Sequence, residues 1–177
     1  APFDYRDMPS PAEVKEADLA WRSWREDFAR VTMERNRVAE SVVRTNLRDL
    51  SSYPLLQGKR DEWLAPQAGM PLYPALFARD AFTAGWQAAW VERGRMLDAS
   101  LTKLGRMQGT RFDTWRDEEP GRIPYQVRQG PLARLDINPY SAYYADFASP
   151  MMFIIALGHS FAWTGDEDML GRHLEVA

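Results

Sequence analysis

Two polar segments of the sequence carry residue types that could bind and process a polar small molecule. The first runs from Trp115 to Gly121 and contains three consecutive acidic residues, and the second runs from Tyr143 to Pro150 and contains a fourth. Both also carry aromatic side chains, and arginines lie close by. No packing requirement explains this combination between apolar helical segments, and it is typical of a pocket for a polar substrate.

Asp146 is the strongest candidate for acid catalysis. It lies between Tyr143-Tyr144 and Phe147, and burial among these rings would favour the protonated carboxylic acid. The alternative is a structural role as the cap of the helix that follows. Glu118 and Glu119 could each complete a catalytic pair with Asp146. Their alternative is a solvated charge cluster, since arginines flank them and Pro120-Gly121 predicts a turn.

Arg79 and Asp80 form a second candidate site at the start of a predicted helix. A guanidinium donates up to five hydrogen bonds and a carboxylate only accepts, so together they match a vicinal diol of a sugar. The alternative is a cap or a structural salt bridge, because the helix dipole favours an acidic residue in the first turn.

The composition excludes several classes of function. The 22 basic and 25 acidic residues are interspersed, so no basic surface for nucleic acid or anionic lipid is predicted. Cysteine is absent, and the two histidines, His159 and His173, lie far apart, so we predict no metal site and no cofactor. No run of apolar residues is long enough to predict a transmembrane helix.

The elements that position these residues are predicted to be helices. Ser10, Pro11 and Glu13 have the pattern of a capping box, so a helix should begin at residue 11. Trp21, Trp24, Phe28 and Val31 follow at helical spacing and predict an aromatic stripe that packs in the core. A second apolar face, between residues 38 and 50, belongs either to the same helix or to a second one after a bend.

The rest of the chain predicts two helix pairs separated by long connections. Residues 51–74 are rich in proline and predict a loop, and residues 75–91 predict a helix buried among others. The second helix of this pair should end near Gly109. Residues 110–141 lack alternating apolar runs, so a strand ladder is not expected, and a connection of this length is usually functional. Ser149-Pro150 predicts the start of the next helix.

The ends of the sequence suggest a piece of a longer polypeptide. Residue 1 is alanine, and the acidic helix start at Asp166–Asp168 leads into an apolar pattern that reaches Ala177 without a capping glycine or proline. We therefore expect truncation. We predict that residues 1–35 are a helical segment leading into a larger domain, and that residues 36–177 are the N-terminal portion of that domain.

Four motifs in order resemble a known family. They are Met70–Ala81, Asp117–Ile123, Tyr143–Pro150 and Trp163–Asp166. Together they resemble the bacterial proteins described as glycogen debranching or amylo-α-1,6-glucosidase-like enzymes, from about residue 36 to the end. Departures are Ala78, where the family usually has glycine, and Arg122 and Tyr125, where it often has lysine and histidine.

The resemblance implies an all-α fold, part of an (α/α)6 barrel, and inverting hydrolysis of α-glucosidic bonds in oligosaccharides or glycogen-like glucans. It makes Asp146 the general acid, with the base a glutamate outside this chain, roughly 6.5–9.5 Å from the acid. Trp115 would be a stacking platform in the substrate-binding wall. That wall comprises Arg79, Asp80, Trp115, Glu118, Glu119, Arg128 and Tyr144.

The resemblance also implies a set of partners. These are an α-glucan or oligosaccharide, and either the remainder of the parent polypeptide or another copy of the chain, in the cytoplasm. Neither nucleic acid nor a membrane is expected. Two alternatives to a hydrolase remain from the sequence: a carbohydrate-binding module without catalysis, and a structural all-α interaction domain.

Overall fold

The computed structural model describes residues 10–56 and 59–177, and this part of the chain is mainly helical, as predicted. Residues 1–9 of the predicted N-terminal segment lie outside the described residues. The helices are α1 (Pro11–Glu26), α2 (Arg37–Leu50), α3 (Ala78–Glu92), α4 (Arg95–Gly105), α5 (Pro131–Arg134), α6 (Ala148–Thr164) and α7 (Glu167–Leu174). Two short strands, β1 (Leu76–Phe77) and β2 (Gln126–Val127), pair antiparallel.

The capping box at the start of α1 is confirmed. The Ser10 hydroxyl accepts a hydrogen bond from the Glu13 amide at 3.3 Å, and the Glu13 carboxylate accepts from the Ser10 amide at 2.7 Å. The aromatic stripe is only partly helical, because α1 ends at Glu26. The chain then leaves the helix so that the Ala29 amide can donate to the Val91 carbonyl at 2.8 Å. The sequence left open whether the second apolar face continues the first helix or belongs to another. It belongs to a separate helix, α2.

Helices α3 and α4 form a tight helical hairpin. Arg93 and Gly94 turn the chain through two left-handed residues, with φ of 64° and 75°. Gly85 lets the two helices approach closely, since an added Cβ would lie 3.0 Å from the Leu97 Cα. This close contact explains why the predicted buried helix is rich in small residues.

Helices α6 and α7 form a second hairpin with the same orientation as the first. Phe82 in α3 packs edge-to-face on Phe153 in α6, with 5.8 Å between the ring centres. Further along both helices, the ring centres of Trp86 and His159 are 4.9 Å apart. Because a later residue of α3 contacts a later residue of α6, the two helices run parallel. Their N-terminal ends therefore lie at the same end of the molecule.

The main core lies where the two hairpins meet. Its fully buried residues include Phe82, Leu97, Leu101, Leu104 and Phe153. The opposite face of α6 is exposed and apolar; its large side chains there are Met151, Ile154, Ile155, Phe161 and Trp163. Within the described residues, no helix has the length and apolar character needed to span a membrane.

Several predicted boundaries were wrong by a few residues. The helix expected from residue 75 begins at Ala78, because Leu76 and Phe77 pair instead with β2. Helix α4 ends at Gly105 rather than near Gly109. Helix α6 begins at Ala148 rather than at Pro150. The expectation that residues 110–141 form no strand ladder is confirmed, since β2 is two residues long, but the short helix α5 in this segment was not predicted.

Glu92 is a fully buried acid at the end of α3. One carboxylate oxygen, Oε2, accepts from the Met96 amide at 2.9 Å and from the Trp24 indole at 3.4 Å. The other, Oε1, is buried and has no hydrogen-bond partner among the described residues. Burial raises the pKa of Glu92 to about 7, against an ordinary value of 4.5. The protonated acid therefore fits this site better than the carboxylate.

We expect Glu92 to make the protein less stable as the pH rises. Its folded pKa is raised, so its contribution is greatest below pH 4.5 and is lost as the pH rises towards about 7. Glu92→Gln keeps an oxygen acceptor and removes the ionisation. Urea unfolding at pH 5 and pH 8 should show the wild type losing about 2–3 kcal/mol relative to the variant. An identical pH dependence for both proteins would contradict this account.

Candidate functional site

The acidic loop, residues 109–122, is a compact turn rather than an open chain. Asp113 and Glu118 exchange two backbone hydrogen bonds of 3.0 Å, and the Gly109 amide donates to the Arg122 carbonyl at 2.8 Å. Asp117, between the two bonded ends, has a left-handed φ of 51°. The backbone thus fixes the position of each carboxylate in this loop.

Glu118 and Glu119 have different surroundings. Glu118 is 9% exposed, and its carboxylate accepts from the Thr110 amide at 3.0 Å and from the Arg111 guanidinium at 3.4 Å. Glu119 is exposed and forms an ion pair with Arg122 at 3.1 Å. The interpretation as a solvated charge cluster therefore fits Glu119. The buried Glu118 carboxylate instead stabilises the loop through its hydrogen bonds.

Asp146 is held at the start of α6. Its Oδ1 accepts from the Ala148 amide and its Oδ2 from the Ser149 hydroxyl, both at 2.9 Å. This is the capping geometry that the sequence left open as an alternative. The neighbouring Phe147 ring is 81% exposed, so it does not enclose the carboxylate as the sequence suggested. Asp146 is only partly buried.

Arg128 lies against aromatic rings beside the start of α3. Its guanidinium is 5.7 Å from the centre of the Phe77 ring and 5.4 Å from that of Tyr140. Its Nε donates to the Gln126 side chain at 3.4 Å. These contacts orient the guanidinium through stacking and leave donors for other groups.

Tyr144 and Trp115 differ in accessibility. The Tyr144 hydroxyl donates to the Met107 carbonyl at 2.8 Å, and burial raises the pKa of Tyr144 to about 12. Tyr144 therefore joins the segment before α6 to the end of α4. The Trp115 side chain is 51% exposed and offers a ring face to solvent.

Two further contacts in this region were not predicted. The Tyr143 hydroxyl interacts with the Asp117 carboxylate, whose negative charge raises the pKa of Tyr143. Arg116 forms an ion pair with Asp136 at 3.1 Å. Asp117 and Tyr143 both lie in motifs noted in the sequence, but nothing in their spacing identified them as partners, because they are joined only by the folding of the long connection.

Arg79 and Asp80 border a cavity of about 490 Å³ on the side of α3. Its wall also includes Tyr53, Gln67 and Gln87. Both charged side chains are exposed, and neither forms an ion pair or hydrogen bond with another described residue. No side chain caps the start of α3, so Asp80 does not have the capping role that the sequence left open. The cavity is of the size that small ligands occupy.

The predicted site residues therefore fall into two groups at one end of the molecule. Arg79 and Asp80 border the cavity, and the remaining ones lie in the long connection; these are Trp115, Glu118, Glu119, Arg128, Tyr144 and Asp146. The groups are joined where the Ala78 amide donates to the Tyr125 carbonyl at 2.9 Å. In residues 10–56 and 59–177, no three His, Asp or Glu side chains are grouped to hold a metal ion.

No protein-family model matches the sequence, and no curated protein matches it significantly. The function must therefore be argued from the geometry of the site.

Proposed function

We propose that this chain is part of an inverting glycoside hydrolase that acts on α-glucosidic bonds in oligosaccharides or glycogen-like glucans in the cytoplasm. The observation that carries the proposal is the parallel packing of α3 and α6 within two similarly oriented hairpins. Neighbouring hairpins of an (α/α)6 barrel have this relation. It brings Arg79 and Asp80 to the same end of the molecule as Asp146, and the proposed oligosaccharide would extend from one group to the other.

The cavity beside α3 is proposed to hold one sugar residue. Arg79 and Asp80 offer unpaired donors and acceptors for adjacent hydroxyls, and Gln67 and Gln87 add amide groups that both donate and accept. Tyr53 supplies an aromatic surface for the apolar face of a sugar ring. Such a mixture of polar groups and one ring is what pyranose binding requires.

Asp146 is proposed to be the general acid, with Ser149 as its positioning residue. A hydroxyl both donates and accepts, so Ser149 can remain bonded to Oδ2 whether that oxygen is protonated or ionised. The proton would pass to the leaving glycosidic oxygen, and a carboxylate base from outside the described chain would activate the water. Trp115, Glu118, Glu119, Arg128 and Tyr144 would then form or support the rest of the substrate wall.

The exposed apolar face of α6 is a candidate surface for binding another polypeptide segment. Several large apolar side chains on the solvent-facing side of one helix are unusual for a surface that binds no partner. We propose that the remainder of the parent polypeptide, or another copy of this chain, covers that face and supplies the base.

A carbohydrate-binding module without catalysis is the second candidate function. The observation that favours it is that both oxygens of Asp146 already serve the start of α6. In that case the cavity beside Arg79 would bind a sugar without turnover.

Calorimetry with maltose and isomaltose tests the proposed sugar site. We expect the wild-type chain to bind at least one of them, and Arg79→Gln to weaken binding by about tenfold or more, because a charge-assisted hydrogen bond is lost. Arg172→Gln is the matched control, since Arg172 lies on α7 and pairs with Asp98. Absence of binding to both sugars, or equal effects of the two substitutions, would contradict the proposal.

Turnover by the complete protein separates the two candidate functions. An inverting hydrolase should release β-glucose first from an α-linked substrate, which proton NMR detects directly. Binding without any release of glucose would favour the carbohydrate-binding module.

A further inference from the structure

A second cavity, of about 250 Å³, lies between α4 and the β1–β2 ribbon. Its wall includes Leu76, Lys103, Val127, Gln129 and Arg134. None of these residues borders the cavity beside Arg79. The second cavity is therefore a separate feature, with two basic residues in its wall and no acidic residue among those that the structure places there.

Lys103 is an unusual residue in this position. It is only 4% exposed, and lysine is rarely buried unless an anion accompanies it. Burial lowers the pKa of Lys103, and the nearby Glu62 carboxylate opposes that effect. The Glu62 carboxylate also forms an ion pair with Arg106 at 2.6 Å, so its negative charge is shared between two basic side chains. A further anion in the cavity would stabilise the charged form of Lys103.

Arg134 brings the second positive charge from another element. It is the last residue of α5 and is exposed at the rim of the cavity. Lys103 and Arg134 each have another interaction within the protein. An ammonium group has three donors and a guanidinium has five, so both can also serve a bound anion. Gln129, beside them, adds an uncharged amide.

We infer that this cavity binds a small phosphate-type oxyanion, either free phosphate or the phosphate group of a small monoester. A cavity of this volume is too small for a large ligand, and lysine and arginine side chains are both recurrent ligands of phosphate oxygens. The inference does not depend on the proposed hydrolase activity, because it concerns different residues and a different cavity.

Titration with inorganic phosphate and with methyl phosphate, followed by calorimetry at constant ionic strength, tests this inference. We expect saturable binding with one site per chain. Arg134→Gln should weaken it by about tenfold or more, because one charge-assisted contact is removed. Tighter binding of methyl phosphate would identify a monoester as the ligand class, and tighter binding of inorganic phosphate would identify the free ion.

Two variants control for folding and for general charge effects. Gln129→Glu places a negative charge on an exposed part of the wall and should abolish binding while the circular dichroism spectrum stays unchanged. Arg79→Gln removes a cation from the other cavity and should leave phosphate affinity unaltered. The inference is overturned if no saturable binding occurs, or if Arg79→Gln weakens binding as much as Arg134→Gln does.

Discussion

Replacing Asp146 by asparagine should abolish glucose release by the complete protein, lowering turnover by roughly 100- to 10,000-fold. An amide cannot give a proton to the leaving oxygen at neutral pH. The asparagine oxygen can still accept from the Ala148 amide, and its NH2 group can donate to the Ser149 hydroxyl. The start of α6 should therefore keep its structure, so that lost activity reports on proton transfer rather than on folding.

Glucose release from maltose, isomaltose and glycogen is the measurement, with two control variants. Ser149→Ala removes one contact to Asp146 and should lower turnover far less than Asp146→Asn does. Asp166→Asn alters the N-cap of α7, where Asp166 accepts from the Met169 amide at 2.8 Å, and should leave turnover unchanged. Activity of Asp146→Asn close to wild type would leave Asp146 with only its capping role.

Gly109→Ala should disrupt the acidic loop. A Cβ on Gly109 would overlap the Glu119 carbonyl oxygen and lie 3.1 Å from the Glu118 Cγ. Because the first of these groups is backbone, a side-chain rotation cannot relieve the overlap, and the turn must move as a whole. We expect a loss of about 1–3 kcal/mol in the free energy of unfolding.

Urea unfolding and limited trypsin digestion measure this effect. A displaced loop should be cut faster after Arg111, Arg116 and Arg122 than in the wild type. Gly130→Ala is the matched control in the same long connection, because an added Cβ there meets nothing within 4 Å. Its stability should stay within about 0.5 kcal/mol of wild type. Equal behaviour of the two variants would show that the loop is not tightly seated at Gly109.

The helical elements were predictable because their signals are local. The capping box at Ser10 depends only on neighbouring residues, and it occurs where the sequence predicts it. The start of α3 was misplaced because it depends on β2, which lies far away in the chain. Propensity over a short window contains no information about such a partner.

The site was harder to predict for the same reason. Residue type identified Asp146 as a carboxylate among aromatic rings, but only the folded backbone shows that Phe147 faces solvent and that Ser149 holds the acid. Likewise, Glu118 and Glu119 are adjacent and chemically alike in the sequence. Their difference arises from the turn between Asp113 and Glu118, which buries one side chain and exposes the other.

The long connection leaves and rejoins the helices at the same end of the molecule. Gly105, where α4 ends, lies so near Phe153 in α6 that an added Cβ would be 3.4 Å from its ring. Insertions at the exposed turns of the connection can therefore lengthen it without changing the spacing of the helices. The middle of the segment is not replaceable in the same way, because β2 pairs with β1 directly before α3 and the side chains of Ile123 and Val127 are buried in the main core.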